Sequence, residues 1–200
     1  MNLTGLLAGL GLPALLIVAG MVVIENGLLF PFLPGDSLIF ASVLLAGSLQ
    51  ISWLWIVALA AVSAIGGAEL GFTIGRRFGR RWFRPDARIL KSRYLDEADA
   101  FFHRYGPPAI VLARFVPIVR TYISPAMGAS SVRRRTFSLW NAIGGISWAL
   151  LLGVAGVFLG RIPFVAANIE WIALGVVVVS VLPIAVTALR RRHSNKANTP

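Results

Sequence analysis

The sequence predicts an all-α polytopic membrane protein, built from spanning helices and two oppositely oriented re-entrant helical hairpins in the manner of an inverted-repeat transporter. Three observations predict it. The 200-residue chain is 57% hydrophobic and 14% charged, with a mean hydropathy of +0.78, whereas soluble domains average about 25% charged residues. Its formal net charge is +11, yet no Lys or Arg precedes Arg76. Basic residues gather at the edges of apolar segments, which makes the charge a topology signal and not a nucleic-acid footprint. Finally, two apolar stretches, 25–37 and 113–128, are broken by prolines and carry ionisable groups at membrane depth. The absence of cysteine excludes disulfides and thiolate metal sites.

From the N-terminus, residues 3–30 are apolar but interrupted by Gly11 and Pro13. The first 24 residues lack the basic n-region and small-residue cleavage site of a secretory signal, so they are expected to be retained. The run then reaches ENGLLFPFLPGDS at 25–37, where Pro31, Pro34 and Gly35 forbid one straight helix and Asp36-Ser37 has the chemistry of an N-cap. The next apolar run, from Ser37 to about Gly47, is too short to cross a bilayer alone. A re-entrant hairpin over about 13–48, with its tip at 31–36, accommodates both facts.

Residues 52–75 are long enough to span, and Gly67, Gly71, Gly75 and Gly79 recur every four residues as a ridge for close helix packing. Residues 76–106 hold nine Lys or Arg and four acids, which places the 76–105 segment in the cytoplasm. There Leu90, Tyr94, Ala98, Phe101 and Tyr105 follow the spacing of an amphipathic helix on the membrane surface. Its arginines either gather anionic phospholipid headgroups or serve topology alone. Residues 106–130 open on Gly106-Pro107-Pro108, run through Pro117 and Pro125 to Gly128, and are followed by Arg133, Arg134 and Arg135. Basic residues on both sides make this a second re-entrant hairpin. Spanning helices over 137–160 and 164–189, joined at Arg161 and Pro163, complete a single membrane domain of residues 1–192. A polar tail, 193–200, follows Arg190, Arg191 and Arg192, which put the C-terminus in the cytoplasm.

Arg114 and Arg120 need a reason. At the bilayer centre each costs roughly 2.5–3.5 kcal/mol unless it finds a partner or a wet cavity. On one helix six residues separate two side chains by about 240°, but a break at Pro117 brings both guanidinium groups to one cavity, an anion site. The alternative is that Arg114 snorkels to a headgroup while Arg120 marks a helix end. Glu25, Asp36 and Glu69 are the acids within apolar regions and so the candidates to carry or gate a proton, whereas His103 and His193 fall in cytoplasmic segments. Glu25 follows a long apolar run, Asp36 is open to the capping reading, and Glu69 lies among the packing glycines. With 76–105 cytoplasmic, the first hairpin dips from the outer face and the second from the inner face. Each pairs charges around a proline and precedes a spanning helix, the logic of inverted repeats. Acids facing arginines lower each other's burial cost and form a site that trades an internal salt bridge for an anion or a proton.

FLPGDS at 32–37, GFTIGRRFGR at 71–80, FFHRYG at 101–106 and above all ARFVPIVRTYISPAMGAS at 113–130 resemble the DedA family of bacterial inner-membrane proteins, which carries the VTT domain. The resemblance covers roughly residues 20–160. One departure is visible: Gly67-Ala68-Glu69 and Gly71-Phe72 stand where the family pattern has a Gly-Asp pair ahead of a Gly-Tyr. The resemblance implies a transporter or flippase of lipid-linked phosphate in the bacterial cytoplasmic membrane, in particular undecaprenyl phosphate recycling coupled to the proton motive force. It implies Arg114 and Arg120 as headgroup ligands and Glu25 and Asp36 as proton-coupling groups, with Glu69 as the candidate for the displaced family acid. The partners implied are an anionic polyprenyl-phosphate lipid, membrane phospholipids and protons, with self-association left open. No cofactor, no metal and no enzymatic activity are expected, because the apolar regions hold no His and no Asp/His cluster with ligand spacing. The competing reading is a proton-coupled small-ion antiporter, which needs the acids more than the arginines.

Overall fold

The computed structural model describes residues 3–27, 34–47, 49–78, 100, 102, 104–168, 171, 172, 175 and 178. Among these every regular element is a helix: α1 (Leu3–Gly27), α2 (Gly35–Leu44), α3 (Trp53–Phe78), α4 (Ala109–Arg114), α5 (Pro117–Ala129), α6 (Arg134–Gly160) and α7 (Pro163–Ala167). The lengths sort them by role. At 1.5 Å per residue, α1, α3 and α6 each reach about 38–40 Å and exceed a bilayer's hydrocarbon core, while α2 covers only about 15 Å. Helices α3 and α6 are also apolar enough to cross a membrane.

The distribution of residue sizes identifies the surrounding solvent. The buried face of α3 is rich in small residues, with Ala60, Ala64, Gly67, Ala68, Gly71 and Gly75 beside Ile56, Val57 and Phe72, and α6 buries Gly144, Gly145, Ala149, Gly153 and Gly156 beside Phe137 and Trp148. Its outward face carries Leu139, Ile146, Leu150, Leu151 and Phe158, and α3 turns Leu54, Trp55, Val62 and Leu70 outward. A soluble protein does the reverse. Many bulky apolar side chains outside and frequent small ones at helix contacts suit a lipid solvent, which gives apolar side chains no reason to hide. This is a membrane protein.

Helix α3 is the centre, packed against α1, α5 and α6, while α2 and α4 both lean on α6. The glycine ridge makes these contacts. A Cβ on Gly67 would lie 2.7 Å from the Val23 carbonyl of α1, and one on Gly75 would overlap the Pro125 carbonyl of α5. Farther along, Phe72 stacks on Phe137 with centroids 4.4 Å apart. The ridge therefore serves packing.

Several expectations need correction. Pro125 does not break the chain; it lies inside α5 and its backbone meets Gly75. A helix tolerates this where a neighbouring backbone packs at the proline turn. Helix α1 runs back to Leu3 through Pro13, where the first hairpin arm was expected to start. Helix α3 continues to Phe78, so Arg76 and Arg77 form its last turn and do not begin a separate segment. Pro31, most of 76–105 with its amphipathic stripe, both histidines, most of 164–189 and the 193–200 tail lie outside the described residues.

Candidate functional site

The chain break that organises the site lies just before Pro117. Helix α4 ends at Arg114, Phe115 closes its last turn, and Val116 is extended, with φ −109° and ψ 106°. Pro117 then takes the first helical position of α5, where its missing N–H costs nothing. Arg114 is thus the last residue of one helix, and Arg120 lies in the first turn of the next.

The break also sends them to different partners. Arg120 is 5% exposed and acts as a clamp. Its Nη1 donates to Asp36 Oδ1 at 2.6 Å and its Nη2 to Glu25 Oε1, and its guanidinium lies 5.3 Å from the Trp148 ring centroid. Its Nε is buried with no hydrogen-bond partner among the described residues. The other Glu25 oxygen accepts from the Gly35 N–H at 3.2 Å, at the N-terminus of α2, where the helix dipole favours a negative charge. A side chain on Gly35 would collide with that oxygen, so glycine is required for the approach.

Asp36 is not a helix cap. Pro34 holds the N-cap position without a side-chain bond, and Asp36 sits in the first turn with its carboxylate turned to Arg120. Pro34 and Gly35 therefore begin α2 as well as interrupting the preceding run.

Arg114 is equally buried but differently held. Its Nη2 donates to the Ala64 carbonyl at 3.1 Å and to Asn141 Oδ1, and the side chain lies against Gly144 and Gly145 of α6. Asn141 in turn donates through Nδ2 to the Ile65 carbonyl at 3.2 Å and to Glu69 Oε1 at 3.4 Å. Glu69 Oε2 meets Arg134 at 3.7 Å. The five expected charges therefore form two groups: Glu25, Asp36 and Arg120 in one, and Arg114 with Glu69 reached through Asn141 in the other. Asn141, Trp148 and Arg134 escaped the sequence reading. A neutral amide and an indole raise no alarm in an apolar stretch, and Arg134 reads as one of three topology arginines.

A sequence profile of the VTT domain matches residues 33–158, a span that includes Asp36, Glu69, both buried arginines and Asn141. The chain belongs to the DedA family. It is 41% identical to Protein DedA of Escherichia coli (strain K12) over 175 residues, 85% of this chain and 80% of that one. An uncharacterized membrane protein of Mycobacterium tuberculosis (strain ATCC 25618 / H37Rv) is 42% identical over 182 residues, 90% of this chain and 79% of its own. Inner membrane protein YqjA of Escherichia coli (strain K12) is 32% identical over 142 residues, 70% and 64% of the two chains. No solved structure matches this DedA-family chain. Membership agrees with the lipid-facing surfaces of α3 and α6.

Proposed function

We propose that this DedA-family protein is a proton-coupled flippase of a lipid-linked phosphate, with undecaprenyl phosphate as substrate, working as one unit over residues 1–192 in the bacterial cytoplasmic membrane. The observation that carries the reading is the Arg120 clamp, a buried arginine that holds two acids from the other broken segment and keeps an unused Nε–H. Charge counting gives the coupling. Glu25, Asp36 and Arg120 sum to −1, and Arg114 adds +1, so the set is neutral. A proton taken by either acid leaves +1, which one negative charge on a phosphate headgroup balances. Arginine forks suit phosphate oxygens, and the hydrocarbon tail stays in lipid while the headgroup crosses.

In this reading α1 with α2 and α4 with α5 are the two re-entrant units, dipping from the outer and inner faces as inverted repeats, with the C-terminus cytoplasmic. Each pair precedes a spanning-length helix, α3 or α6, and their charges meet across the interface. The name of YqjA, an inner membrane protein, agrees with the location. Transport of this kind breaks no covalent bond, so the protein acts as a carrier and not as an enzyme.

The test is headgroup translocation of undecaprenyl phosphate in proteoliposomes, with and without an imposed pH gradient. Arg114→Ala is expected to abolish translocation and Glu25→Gln to remove only the response to the gradient. Arg114→Lys and Arg120→Lys are expected to impair it, since an ammonium lacks the fork. No translocation by folded wild-type protein, with ion flux in liposomes free of polyprenyl lipid, would move the assignment to a small-ion antiporter.

A further inference from the structure

Asn141 is 1% exposed and sits where α3, α4 and α6 meet. Its amide orientation follows from its neighbours. Arginine only donates, so Asn141 turns its oxygen to Arg114; the Ile65 carbonyl and the Glu69 carboxylate only accept, so its NH2 faces α3. Aspartate in its place offers no donor to α3 and neutralises Arg114 instead. Leucine offers neither function.

The consequence lies in the charge state around Arg114. Arg120 is already paired with two carboxylates, which balance its charge. Among the described residues Arg114 meets only neutral acceptors, the Ala64 carbonyl and the Asn141 amide. Hydrogen bonds from a guanidinium to neutral acceptors are weaker than those to an anion, so an incoming anion displaces them readily.

We propose that Asn141 is the specificity-determining positioning residue of this site: it holds Arg114 by a neutral, exchangeable contact so that the guanidinium receives the phosphate headgroup, while Glu69, backed by Arg134, fixes the amide. Glu69 then acts through Asn141 and carries no proton for the Glu25–Asp36 group. The inference rests on the anion-transport reading of Arg114.

The experiment uses the full chain in dodecyl maltoside micelles, with dodecyl phosphate as the probe in a calorimetric titration. Asn141→Asp is expected to bind it at least about tenfold more weakly than wild type, because the new carboxylate occupies Arg114. Repulsion between that introduced carboxylate and Glu69 is a rival cause, and it also threatens folding. The double variant E69Q/N141D removes that repulsion and is expected to stay weak. In proteoliposomes the N141D variant raises the lipid concentration for half-maximal translocation and leaves the maximal rate unchanged. Wild-type affinity in N141D, recovery of wild-type affinity in E69Q/N141D, or a fall in maximal rate alone overturns the inference. Failure of wild type to bind the probe, or equal binding by Arg114→Ala, instead overturns the anion reading on which it rests.

Discussion

Replacing Arg120 by lysine keeps the charge and removes the geometry. The native guanidinium places one nitrogen on Asp36 and another on Glu25, contacts that one ammonium cannot reproduce in the same directions. Hydrogen bonds to charged groups contribute roughly 1.5–3 kcal/mol each, so the loss of one sets the scale of the damage. Exposure decides which contact is lost. The Asp36 side chain is 38% exposed and that of Glu25 is 4% exposed, so the ammonium stays with Glu25, the more buried acid, whose isolation would cost more. Arg120→Lys is therefore expected to destabilise by about 1.5–2 kcal/mol, the low end of that range. Arg120→Gln, which leaves two carboxylates without a cation, costs about 3–5 kcal/mol. Equilibrium unfolding in mixed micelles of rising dodecyl sulfate fraction, followed by circular dichroism, measures both. Adding Asp36→Asn completes a double-mutant cycle, and that change is expected to cost less in the lysine background than in wild type. An Arg120→Lys protein with the wild-type midpoint, and an Asp36→Asn cost independent of background, would show that Arg120 does not bridge the two acids.

Gly35→Ala places a methyl group on the Glu25 carboxylate and 3.2 Å from Val22 Cγ2; the same unfolding assay is expected to show a loss of about 1–3 kcal/mol. Gly75→Ala puts its Cβ 2.8 Å from the Pro125 Cα, an atom of rigid backbone, and is expected to cost about 3 kcal/mol. In contrast Gly66, on the same helix with nothing within 4 Å, is expected to gain about 0.5–1 kcal/mol when changed to alanine; equal effects at the two positions would refute the ridge contact. Trp148→Leu removes the desolvated cation–π contact with Arg120, worth about 2 kcal/mol, and is expected to cost less by that amount in an Arg120→Met background.

How far the site was legible varied with the kind of residue. Pro117 was readable because proline's missing N–H and fixed φ act locally, and the break falls immediately before it. Pro125 was misread by the same rule, since only the Gly75 contact from α3 reveals that the helix continues through it. Glu25, Arg114 and Arg120 announced themselves by the cost of an ionisable group in an apolar run. Their partners did not: Glu25 reaches Arg120 across 95 positions and Asp36 across 84. No local pattern encodes such a separation.

The sequence by itself determined the helical class, the lipid solvent and the positions of the costly charges, because hydropathy, charge placement and proline chemistry act over a few residues at a time. Only the tertiary structure decided which charge answers which. It gave both acids to Arg120 and left Arg114 with a carbonyl and an amide, an arrangement made where α3, α4 and α6 close around Asn141. Burial makes any pairing within the membrane strong, but the packing of helices distant in sequence chooses the pair.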